Sequence, residues 1–260
     1  MHVLLTHEDG LDRPELSATR DLLILTGMSV MTIASAAPAE LQAGSLFTLQ
    51  SADPDCNPVY GVCGAAADAL AQAVQQGLQA QICMVLSQDT AEGVDTSFAG
   101  AVLAATRLGM PVLNVRYPAR TGNPPDAWIS DLATEVVAVA LTRPPPAATM
   151  LVLTAPPQLR VRVPVLMPLD TVAQTPLGNP HANRLVAQPR RQRAHERDAL
   201  ARGQITLTPV QLGASSVAAA ADLAQWAQEL VHTLHSRLSG STMRCACCAP
   251  SLLPAISNSH

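Results

Sequence analysis

Short apolar runs alternate with longer segments of helical texture through the first half of the chain. His2–Thr6, Met28–Ala34, Ile82–Leu86 and Pro111–Val115 read as strands. Between them, Pro14–Leu25 reads as a helix, with proline in its first turn and Gly27 ending it. Gly64–Leu78 is an alanine-rich helix, Ala99–Leu108 a helix stopped by Gly109, and Asp126–Leu141 another. This alternation predicts an α/β fold, a parallel sheet with helices on both faces. After Arg143-Pro144-Pro145-Pro146 the pattern changes. Met150–Thr154 and Leu159–Leu166 look extended, and a polar, arginine-rich stretch runs from Asn183 to Arg202. A strand at Gln204–Thr208 and a helix at Val217–Leu234 follow. The expectation is an irregular, partly antiparallel C-terminal extension. From Ser236 to His260 there is little periodicity, which predicts a flexible tail.

Composition narrows the function classes. At 260 residues, 48% hydrophobic and 14% charged, the chain can bury a core without staples. Aromatics are 2%, so alanine, leucine and valine must build that core and stacking on bases is not its mode of work. A net charge of −4 argues against a nucleic-acid duplex as partner. All 16 basic residues are arginine, which excludes P-loop and Schiff-base chemistry. No secretory signal and no apolar stretch of membrane-spanning length stands out, so the expected location is cytoplasmic, with Cys56, Cys63 and Cys83 reduced.

Just past the first strand come His7-Glu8-Asp9-Gly10. Adjacent carboxylates at a strand end are costly to hold together without a positive partner, and a hard divalent cation takes oxygen ligands. In open parallel sheets, sites form beyond the C-terminal strand ends. Glu40 lies in the loop after the second strand, and Ser87, Gln88 and Asp89 follow Ile82–Leu86. These loops converge in such a fold. The plainer reading makes Glu8 and Asp9 a helix cap or a solvated turn. Cys245, Cys247 and Cys248 with His232 and His235 fit no zinc spacing. Arg190–Arg197 reads as a solvated or oligomer-contact segment.

The opening Leu4-Leu5-Thr6-His7-Glu8-Asp9-Gly10, with Pro14 beyond, resembles that of the SurE (survival protein E) nucleotidases, a strand followed by Asn-Asp-Asp-Gly. Thr32-Ile33-Ala34-Ser35 and Gly44–Leu49 match that family's second strand end and its Ser-Leu-Thr-Leu. Gly93-Val94-Asp95-Thr96-Ser97-Phe98-Ala99-Gly100 tracks Gly-x-Asp-Val-x-Tyr-Ser-Gly, and Leu108-Gly109-Met110-Pro111 matches Leu-Gly-Ile-Pro. Asp198–Pro209 is similar to the segment ending Ser-Ile-Thr-Pro. The matches cover roughly residues 1–235, which would be one domain, with 236–260 as a cysteine-containing tail.

The resemblance implies a Rossmann-like fold and a metal-dependent 5′-nucleotidase or phosphatase acting on nucleoside monophosphates, assembled as a homodimer or tetramer. It places the Mg²⁺ or Mn²⁺ ligands on Glu8, Asp9, Glu40 and Ser87, with Asp9 the principal one. Backbone N–H groups near Gly93 and Gly100 would bind phosphate, and His7 would assist there or stand behind the ligands or at the surface. Of the four ligands only Asp9 is identical to the family's residue, and Ala99-Gly100-Ala101 lacks two hydroxyls of Ser-Gly-Thr. The rival reading is therefore a catalytically silent nucleotide-binding or oligomeric module. A phosphoacceptor receiver domain is set aside, because it needs a lysine that this chain lacks.

Overall fold

The structure, a computed structural model, describes residues 2–7, 9–35, 46–49, 57–62, 80–89, 105, 109–118, 127–146, 149–172, 190–212 and 217–240. Outside these residues lie Glu8, Glu40, Gly93, Gly100, the expected helix at 64–78, that at 99–108 apart from Ala105, and the stretch 241–260.

Among the described residues ten strands join in one sheet: β1 (His2–His7), β2 (Ser29–Ser35), β3 (Leu46–Leu49), β4 (Val59–Val62), β5 (Ile82–Asp89), β6 (Val112–Pro118), β7 (Thr149–Thr154), β8 (Val161–Leu166), β9 (Asp170–Val172) and β10 (Gln204–Leu212). Their order is β3-β4-β2-β1-β5-β6-β7-β10-β8, with β9 also on β10. From β4 through β7 every pairing is parallel. Edge strand β3 runs antiparallel to β4, and β10 antiparallel to β7. The C-terminal part is thus partly antiparallel as expected, but it continues the same sheet. Both β8 and β9 lie parallel to β10, along successive stretches of it.

Period-2 alternation sends side chains to two cores. Leu5, Met84, Leu86, Leu113, Val115, Leu153 and Leu207 pack on one face against α1 (Pro14–Leu25), α2 (Ala127–Thr142) and α4 (Val217–Gly240). Leu4, Ile33, Cys83, Val85, Val112 and Val152 build the other. Each fully buried leucine or isoleucine contributes about 1.5–3 kcal/mol. Helix α1 begins with proline at its first turn, where the missing N–H costs nothing, and stops where Gly27 takes φ 84°.

One helix had not been expected, and one boundary is corrected. The arginine-rich stretch contains a helix, α3 (Arg190–Ala201). Its residues are good helix formers, but so few are apolar that no hydrophobic period marks it. A buried carboxylate docks it instead: Glu196 Oε1 accepts from the Thr154 hydroxyl at 2.9 Å and from the Thr206 hydroxyl at 3.4 Å. Ser236–Gly240, read as the start of a flexible tail, is the last turn of α4, where Arg237 pairs with Glu135 of α2 at 3.1 Å. Among the described residues no helix is long and apolar enough to cross a membrane.

Candidate functional site

The order of strand addition reverses between β1 and β5, which run parallel. From β1 the chain winds outward to β2 and β4, and from β5 to β6 and β7. A crevice opens beyond the C-terminal ends of the two strands at such a switch point, because their loops depart to opposite sides. His7 ends β1 and Asp9 lies just beyond it, Ser87 stands two residues before the end of β5, and Asn114, Arg116 and Tyr117 are on β6. Register fixes the rim: His7 pairs with Leu86, one residue before Ser87, and Ser87 pairs with Arg116.

His7 is fully buried, so neither surface exposure nor direct contact with solvent-borne phosphate describes it. Its Nδ1 accepts the backbone N–H of Asp9 at 2.9 Å. A nitrogen that accepts carries no proton, so the neutral ring holds its proton on Nε2. That proton is donated to the Tyr117 hydroxyl, 2.5 Å away. Burial drives the His7 pKa down to about 4, against the pull of Asp9 in the opposite sense and with a smaller push from Arg13 in the same one.

The loop that carries Asp9 is tied to the neighbouring strand. Gly10 has φ 110°, and a Cβ there would lie 2.8 Å from the Ser35 carbonyl oxygen, so only glycine fits. That carbonyl accepts the Leu11 N–H at 2.9 Å. The Asp9 carboxylate reaches solvent and pairs with Arg13 at 2.9 Å.

Ser87 is buried on the opposite face of the sheet from His7, sharing the side of Cys83 and Val85. Its hydroxyl donates to Asn114 Oδ1 at 3.1 Å, while Asn114 Nδ2 has no partner among the described residues. Ser87 thus follows the register partner of His7 on the neighbouring strand, two residues before the end of β5. Glu8, Glu40, Gly93 and Gly100 fall outside the described residues. No group of three or more His, Cys, Asp or Glu gathers among the described residues.

Sequence reasoning missed Tyr117 and Asn114. Asn114 left a signal, a polar residue inside an apolar strand. Tyr117 left none, because only the parallel register two strands away brings it to His7.

Neither a protein-family model nor a curated protein matches the sequence. Among solved structures, the crystal structure of the SurE protein from Aquifex aeolicus is similar to the chain with a TM-score of 0.53. The likeness covers 81% of this chain and 93% of that one, at 18% sequence identity. The chain thus has a SurE-like α/β fold.

Proposed function

We propose that this SurE-like chain is a metal-dependent phosphomonoester hydrolase that removes phosphate from nucleoside 5′-monophosphates. The observation that carries the reading is the position of Asp9, solvent-reaching and just beyond β1 at the β1–β5 switch point. The donors on offer suit a hard cation: the Asp9 carboxylate, and the Ser87 hydroxyl, which keeps lone pairs while its proton goes to Asn114. Glu8 and Glu40 would complete the set for Mg²⁺ or Mn²⁺. Such an ion, when bound, polarises a phosphoryl oxygen and acidifies water.

The remaining work falls to the chain itself. Asp9 holds charge at the rim, and Gly10 lets the backbone turn there. Backbone N–H groups near Gly93 and Gly100 receive the phosphate oxygens. The sequence resemblance implies a homodimer or tetramer, which light scattering tests. Purified protein incubated with nucleoside 5′-monophosphates and Mg²⁺ or Mn²⁺ should release phosphate. Asp9→Asn should lower that rate by about 10²-fold, the scale of a misplaced catalytic group.

One observation favours a second reading, a catalytically silent nucleotide-binding module. The guanidinium of Arg13 already neutralises Asp9, as a cation would. Release no faster than in the Asp9→Asn protein, together with retained nucleotide binding, would decide for it.

A further inference from the structure

We propose that Tyr117 is a positioning residue, acting through His7 to set the backbone of Asp9 and so aim its carboxylate at the rim. The inference rests on the functional reading above only for what the carboxylate does. The link itself is geometric.

Three groups stand in line. Tyr117 Oη accepts from His7 Nε2, and His7 Nδ1 accepts from the Asp9 N–H. His7 and Tyr117 belong to β1 and β6, with β5 between them, so the tie crosses a strand. Both side chains are buried, His7 completely and Tyr117 to within 3% exposure, and their rings meet edge to face with centroids 6.1 Å apart. An imidazole with nothing at Nε2 could rotate about its side-chain bonds, and the bond to Asp9 would be lost. The Tyr117 hydroxyl holds the ring against that rotation by bonding at Nε2. At the other end the loop is fixed by Leu11 N–H on the Ser35 carbonyl. Asp9 is thus held between a rigid anchor on β2 and an adjustable one that depends on Tyr117.

Tyr117→Phe removes the hydroxyl and keeps the ring. His7→Asn cuts the same link from the other side, because an asparagine oxygen can still accept the Asp9 N–H while its short side chain falls short of Tyr117. Two readouts on the full chain are expected to move together. Hydrogen exchange at the Asp9 amide should speed up by about tenfold in Tyr117→Phe, the scale of one hydrogen bond. The Mn²⁺ concentration for half-saturation, followed by calorimetry without substrate, should rise by about tenfold. In the His7→Asn background, Tyr117→Phe should change neither. Unchanged exchange at Asp9 in Tyr117→Phe overturns the proposal. So does unchanged Mn²⁺ affinity in a protein that binds the ion. If the wild-type protein binds no Mn²⁺, the hydrolase reading falls, and exchange at Asp9 alone still decides the positioning.

Discussion

At the scale of single residues, His7 ties stability to pH. Its folded pKa, about 4, lies below the ordinary 6.5, so the unfolded chain binds the extra proton in the window between them. Stability is then complete above about pH 6.5 and falls as pH drops toward 4, with a slope of at most about 1.4 kcal/mol per pH unit. His7→Asn removes that proton site. Urea unfolding of both proteins at intervals from pH 7 to pH 4.5 should show the wild type losing stability relative to the variant as the solution is acidified. A constant gap across that range would mean that His7 takes up its proton at the same pH in the folded chain as in the unfolded one. The same residue also shows why sequence reading stopped short: a histidine beside two acids looks like a surface or phosphate-facing group. Only the paired strands reveal that it points into the core.

At the scale of elements, α3 is the informative case. It has no apolar stripe, and what attaches it to the sheet is Glu196, buried between Thr154 of β7 and Thr206 of β10. Glu196→Ala would leave two buried hydroxyls without their acceptor, at a cost of about 1–3 kcal/mol. Glu196→Gln keeps an oxygen in place and should cost less. Chemical denaturation ranks the three proteins, and equal stability of the alanine and glutamine variants would show that the carboxylate does not dock the helix. Among the described residues, helices with an apolar period were legible. Pro14–Leu25 is found at the bounds expected, and 126–141 within one residue of them. The arginine-rich helix was not legible, because its holding force is a hydrogen bond to residues far away in sequence.

At the scale of the whole molecule, the C-terminal part is no appendage. Strand β10 pairs with β7 inside the sheet, and Leu207, Leu223 and Leu230 share a core with Leu5 and Leu113. Heating should therefore give one unfolding transition, with calorimetric and van't Hoff enthalpies in agreement. Two resolved transitions would show that the segments before and after Pro144–Pro146 fold independently. The sequence by itself determined the parallel α/β core, its helices with apolar faces, and the placement of an acid just after the first strand, because periodicity and turn residues are local properties. The tertiary structure decided what those properties leave open. It decided that the β1–β5 boundary is the switch point and that Ser87 follows the register partner of His7. It also placed Tyr117 behind His7. Each of these depends on which strands lie side by side and in what register, and hydrogen bonds between distant segments set that.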